Sequence, residues 1–166
     1  PAGPVYVLSG NEVRGTLNVE AGAVLKVYAS CCSSGLESYS GGVVNLAGTA
    51  ADPIVFTDER DDSAGGDSNG DGGGSSPWIG YRPSGIYALY ATVNASHVQF
   101  RWLDSPLYVQ GSGSTATVTD PANRLQAAPR APGMTVAGSP ASSFLTNARA
   151  ESISRSDLVN NVEINW

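Results

Sequence analysis

The sequence predicts an all-β domain, and three observations predict it. Apolar residues fall in short alternating runs rather than at helical spacing. Small turn residues separate the runs, as at Glu20-Ala21-Gly22, Ala47-Gly48-Thr49 and Gly111-Ser112-Gly113. The 20 glycines and 10 prolines are scattered between the runs instead of gathered in one tract. With 41% hydrophobic residues, a chain of 166 residues can bury a core of its own, so a single domain over 1–166 is expected.

The runs follow one another along the whole chain. Val5-Tyr6-Val7-Leu8, Leu17-Asn18-Val19, Val24-Leu25-Lys26-Val27 and Val43-Val44-Asn45-Leu46 come first. Ile54-Val55-Phe56-Thr57, Ile86-Tyr87-Ala88-Leu89-Tyr90 and Val98-Gln99-Phe100 follow, the last within an alternating strand read through Val93–Phe100. Leu107-Tyr108-Val109, Ala116-Thr117-Val118-Thr119, Met134-Thr135-Val136 and Val162-Glu163-Ile164 complete the set. Three stretches break the rhythm and read as loops. They are a small polar stretch at 30–42, an acidic glycine-rich stretch at 58–77, and a proline-bearing stretch at 120–133 that cannot sustain strand pairing. Residues 146–158 could hold a helical turn.

Composition excludes several classes. Net charge is −6, with no basic footprint, which excludes nucleic acid as a partner. No apolar run approaches the roughly 18 residues that a membrane span requires. The glycines keep no three-residue period, so the chain is not collagenous. Lys26 is the only lysine. The chain opens on Pro1-Ala2-Gly3-Pro4 with no start Met or signal peptide. That suits a mature secreted chain or a domain of a longer one.

Short strands with glycine-rich corners suit a sandwich, a barrel or a solenoid alike. Two stretches carry a resemblance that separates them. One is Gly15-Thr16-Leu17-Asn18-Val19-Glu20-Ala21-Gly22-Ala23-Val24-Leu25-Lys26-Val27. The other runs from Leu46-Ala47-Gly48-Thr49 through Asp52-Pro53-Ile54-Val55-Phe56-Thr57 into the acidic loop and on to Pro77-Trp78-Ile79-Gly80. Over residues 15–80 the chain resembles bacterial right-handed parallel β-helix surface proteins. The resemblance implies a right-handed parallel β-helix, a solenoid with long loop insertions, in a secreted or cell-surface protein. In such a stack each coil buries its apolar face on the next, and loops leave from corners without disturbing it.

The strongest constellation is Asp67-Ser68-Asn69-Gly70-Asp71-Gly72. Oxygen side chains at alternating positions followed by glycine match the first half of an EF-hand-type calcium loop. The bidentate Glu expected at the twelfth position is replaced by Trp78. Asp67, Asn69 and Asp71 are therefore the expected calcium ligands, with Asp61 or Asp62 completing the shell. The ion would be structural, ordering the loop that positions Trp78. Six carboxylates between 58 and 71 would otherwise repel one another.

Catalytic constellations are weaker. Asp61-Asp62 is similar to the paired acids of β-helical glycoside hydrolases, but adjacent residues rarely stand the required distance apart. Lyase chemistry would need calcium and a base, for which Arg82 and Arg101 are the candidates. His97, the only histidine, reads as an outward surface residue. Asn94-Ala95-Ser96 is a glycosylation sequon, meaningful only in a eukaryotic secretory pathway. Cys31-Cys32 read as a vicinal disulfide or two free thiols. Thr115, Thr117 and Thr119 form one row of hydroxyls, too little for an ice-binding array, so they read as a solvated strand. Tyr81, Tyr87, Tyr90, Trp102 and Tyr108 suffice for a sugar-stacking surface, though the default for aromatics is the core.

The expected function is a non-enzymatic extracellular structural or adhesive module, a calcium-stiffened solenoid and a possible subunit of a surface layer or filament. The alternative is a carbohydrate-binding or polysaccharide-cleaving domain on the same scaffold. The expected partner is another copy, end to end, or the rest of a longer chain. Strand edges at the ends of a solenoid template such pairing.

Overall fold

A computed structural model describes residues 3–29, 34–77, 83–119, 133–136 and 162–165. The expectations for Cys31 and Cys32, Trp78, Tyr81, Arg82, residues 120–132 and the helical turn at 146–158 lie outside the described residues.

The described chain is a parallel β-helix of four coils. The first coil is β1 (Val5–Leu8), β2 (Asn11–Val13) and β3 (Thr16–Glu20). The second is β4 (Val24–Val27), β5 (Ser34–Tyr39) and β6 (Val43–Ala47). The third is β7 (Ile54–Asp58), β8 (Ser84–Leu89) and β9 (Thr92–Ser96), and the fourth is β10 (Val98–Phe100), β11 (Leu107–Gln110) and β12 (Thr115–Thr119). Two further strands, β13 (Gly133–Val136) and β14 (Val162–Asn165), follow. Stacking the coils makes three sheets. Sheet 1 is β1-β4-β7-β10, sheet 2 is β2-β5-β8-β11-β13-β14, and sheet 3 is β3-β6-β9-β12. Every pairing is parallel except β13 with β14. A right-handed sense is that of nearly all crossovers between parallel strands.

Alternation decides what goes inside. Leu25 and Val27 of β4 point inward with Phe56 of β7 and Phe100 of β10, whose rings stack at 5.8 Å. Leu36, Ile86 and Leu107 fill sheet 2's inner row, and Val44, Val93 and Ala116 fill that of sheet 3. The insertions at 59–83 and 101–106 both leave between a sheet 1 strand and a sheet 2 strand. The lengths of the coils therefore differ while their register is kept.

Two readings of the sequence are corrected. The polar stretch at 30–42 is not a loop throughout, because Ser34–Tyr39 forms β5, paired between β2 and β8 in sheet 2. Gly35 is buried there against its neighbours. An added Cβ would stand 2.7 Å from Val27 Cγ2 and 3.2 Å from Gly85 O. The run 93–100 is not one strand. His97 takes φ of +49° and turns the chain from β9 in sheet 3 to β10 in sheet 1. It is half-buried at that corner, with Nδ1 3.0 Å from Ser96 Oγ.

Sheet 3 also shows more order than one threonine row. Asn45 donates to Asn18 Oδ1 and Asn94 donates to Asn45 Oδ1, both at 2.8 Å. Thr117 occupies the next position in this register, and Thr115 Oγ1 donates to Thr92 Oγ1 at 3.2 Å. Side-chain hydrogen bonds therefore tie the outer face coil to coil.

Candidate functional site

The acidic loop is the richest cluster of chemical groups, and its position follows from sheet 1. β4 is buried on both faces. Leu25 and Val27 face the core, while Val24 and Lys26 face outward beside Val55 and Thr57 of β7. The loop folds back over that outer face. Gly65 lies against Val5 and Val24, close enough that an added Cβ would stand 2.7 Å from Val5 Cγ2, and its φ of +71° suits glycine. Ala64 is buried in the same layer.

Lys26 anchors this layer. It is fully buried, and its ammonium donates to Gly66 O at 2.5 Å and to Glu59 O at 3.5 Å. The four-carbon stem supplies apolar surface while the head reaches the loop's carbonyls. The remaining acids at the root of the loop are engaged too. Asp58 is fully buried and takes Arg60 Nε at 2.9 Å and Nη2 at 2.5 Å, and also the Arg60 backbone N–H. This hydrogen-bonded carboxylate raises the Arg60 guanidinium above its usual range, against the opposing effect of burial. Glu59 Oε1 accepts the Ala29 N–H at 3.0 Å.

The five residues expected to hold calcium divide into two groups. Asp61 is buried against β7, accepting from Thr57 Oγ1 at 2.8 Å and from Ser63 Oγ. Asp67, Asn69 and Asp71 lie together at the loop's outer turn. Asp67 accepts the N–H groups of Gly70 at 2.7 Å, Gly72 at 2.8 Å and Asp71 at 3.2 Å. Asn69 Nδ2 donates to Asp71 Oδ2 and Ser75 Oγ, both at 2.9 Å. Asp71 Oδ1 accepts the N–H groups of Gly73 and Gly74 at 2.8 Å, and Oδ2 accepts from Ser75 Oγ. The Ser75 hydroxyl and then these N–H groups hold the Asp71 carboxyl below its ordinary pKa. Asp62 is half-buried, its Oδ2 faces Gly73, and its Oδ1 is buried without a hydrogen-bond partner. Among the described residues, no group of three or more His, Cys, Asp or Glu side chains is gathered as a metal site.

A second feature is the outer face of sheet 2. Tyr87 and Tyr108 stack at 5.1 Å with planes 6° apart, and Tyr39 tilts onto Tyr87 at 6.0 Å. The Tyr39 hydroxyl donates to Glu37 Oε2 at 2.8 Å, and that bond, followed by burial, raises its pKa. The core, the default for Tyr87, Tyr90, Trp102 and Tyr108, is corrected: Tyr87, Trp102 and Tyr108 are half-buried and Tyr90 is exposed, and none joins the core cluster. Stacking covers one face of Tyr87 and one of Tyr108, while Tyr90 stands 54% exposed. Arg101, the described candidate base, gives its backbone N–H to Phe56 O at 2.9 Å and its guanidinium to Gln99.

The third feature, which sequence reasoning missed in detail, is the end of the solenoid at β1, β2 and β3. A cavity of about 490 Å³ opens there, lined by Tyr6, Leu8, Val13, Leu17, Val19 and Leu25. It is the interior of the β-helix laid open. Tyr6 lies opposite Leu25 in the inward row of sheet 1 and is 50% exposed. Asn11, Glu12, Asn18 and Glu20 form its polar rim.

Comparison with known families, curated proteins and solved structures finds no match to the chain. Among the described residues no helix is long and apolar enough to cross a membrane.

Proposed function

We propose that the chain is a non-enzymatic extracellular structural module, a stiff β-solenoid that displays surfaces rather than turning over a substrate. One observation carries this reading. Apart from Asp62, the carboxylates of the acidic loop are engaged by hydrogen bonds within the loop, to β7 or, for Glu59, to Ala29. Asp58 binds Arg60, Asp61 binds Thr57 and Ser63, and Asp67 and Asp71 accept their own loop's N–H groups. A general acid or base needs a carboxyl open to a substrate. Placement at a bacterial surface, in adhesion or in a layer or filament, belongs to the same proposal and rests on the resemblance over residues 15–80. The test is a polysaccharide panel assayed for reducing ends and unsaturated uronides, with and without calcium. The expected result is no turnover. Turnover abolished by Asp61→Asn, with the fold intact, would overturn the reading in favour of a polysaccharide-cleaving domain.

Calcium in the loop is a second proposal, supported by Asp62 Oδ1, a buried oxygen with no partner beside the 71–74 turn. Asp67, Asn69 and Asp71 would supply further oxygens only by sharing lone pairs with the N–H groups they already accept. Calcium at a hundred times its dissociation constant would stabilise the fold by about 2.7 kcal/mol. The expected result is a Tm raised by calcium over chelator in the parent and unchanged by it in Asp62→Asn. A parent Tm indifferent to calcium would reject the ion.

A further inference from the structure

We propose that Tyr87 and Tyr108 are the site of an oxidative cross-link, a carbon–carbon bond between their rings that staples the third coil to the fourth. The two tyrosines are register partners on the adjacent parallel strands β8 and β11. Their ring centroids lie 5.1 Å apart, with planes 6° from parallel. Both side chains are half-buried on the outer face of sheet 2, so an oxidant reaches them without unfolding the core. The bond does not depend on the structural-module reading, nor that reading on the bond.

Coupling of two tyrosyl radicals requires both rings to be neighbours at the moment both are oxidised. Strand pairing supplies that, because partners across a ladder stay about 4.8 Å apart for the life of the fold. The Tyr87 hydroxyl donates to Gln110 Oε1 at 3.2 Å, which leans its ring over β11 and keeps the hydroxyl at the solvent side. Tyr39 approaches Tyr87 from β5 at 6.0 Å and 56°, with its own hydroxyl donated to Glu37 Oε2 at 2.8 Å. It is farther away and less parallel, so Tyr108 is the better partner.

The step balances as follows. Each phenol gives one electron and its hydroxyl proton to the oxidant and becomes a tyrosyl radical. The radicals join through the ring carbons ortho to oxygen, and the hydrogen on each joined carbon moves to that ring's oxygen, which restores aromaticity. The oxidant is hydrogen peroxide used by a peroxidase outside this chain. One peroxide takes up both electrons and both protons and leaves as two waters. A ring must tilt off the stack for the ortho carbons to meet, and side chains on an outer sheet face turn without disturbing the core. The bond closes a loop through β9, β10 and the insertion at 101–106, which lowers the entropy of the unfolded chain.

The test treats dilute protein with hydrogen peroxide and a haem peroxidase, then reads dityrosine fluorescence in the monomer band of a denaturing gel. Trypsin cuts after Arg101, between the two tyrosines, so mass spectrometry shows the bond as two joined peptides lacking two hydrogens. The expected result is a fluorescent monomer joined at Tyr87 and Tyr108. Tyr87→Phe and Tyr108→Phe are each expected to abolish that fluorescence, while Tyr39→Phe and Tyr90→Phe keep it. Circular dichroism checks that each variant keeps its strands. Tyr6, Tyr28 and Tyr90 are 50%, 49% and 54% exposed, and exposure alone would couple these between molecules. Cross-linked dimers without a fluorescent monomer would therefore overturn the inference. So would a bond that includes Tyr39 or Tyr90, or monomer fluorescence that survives Tyr108→Phe.

Discussion

Lys26→Ala is expected to destabilise the protein by roughly 3–5 kcal/mol, although lysine is a surface residue in most proteins. Two losses add. Lys26 is fully buried between sheet 1 and the loop, so truncation leaves a cavity where its stem lay. Its ammonium serves Gly66 O and Glu59 O, and these carbonyls lose their donor. Lys26→Met separates the two. Methionine refills most of the volume, so the remaining loss, about 1–3 kcal/mol, is that of the orphaned carbonyls. Urea unfolding of the three proteins reads both steps. If Lys26→Ala matched the parent, the loop would not be packed on sheet 1.

Arg60→Met is the second large effect. The Asp58 carboxylate is fully buried, and Arg60 gives it two guanidinium hydrogen bonds while itself only 14% exposed. Removing the cation leaves a buried charge without its partner, a loss of about 3–5 kcal/mol. Asp58→Asn in the same background removes that charge and should restore part of the stability. The combined variant then loses less than the sum of the two single ones, which a double-mutant cycle measures. Additive losses would mean that the two groups do not act as a pair.

The strands were readable in the sequence wherever apolar and polar residues alternate. β4 and β11 carry inward leucine or valine at every second position, and β7 carries Ile54 and Phe56 there before Asp58. β5 was not readable that way, because its inward positions are Leu36 and Ser38, and serine hides the period. The signal was elsewhere. Ser34-Gly35-Leu36 recurs as Ser84-Gly85-Ile86, and the two triplets lie side by side in sheet 2. The corner at His97 was hidden because a left-handed turn falls on a histidine rather than a glycine. The acidic loop was legible in composition but ambiguous in chemistry. Asp and Asn at alternating positions can hold calcium, and the same side chains can cap the N–H groups of a tight turn. Sequence does not distinguish these uses. Neither does it show that Lys26, alternating like any outward strand residue, lies beneath a second layer. That depends on a loop joined to the chain some forty residues later.

Native-state hydrogen exchange across residues 59–77 tests the central claim most directly, namely that the acidic loop is a packed layer on sheet 1. The account predicts slow exchange at Asp61, Ala64, Gly70, Gly72 and Gly74, whose N–H groups are hydrogen-bonded within the loop. It also predicts that Lys26→Met selectively weakens this protection while β8 and β11 keep theirs. Exchange of the parent loop at the rate of an unstructured chain, unaffected by Lys26→Met, would contradict it.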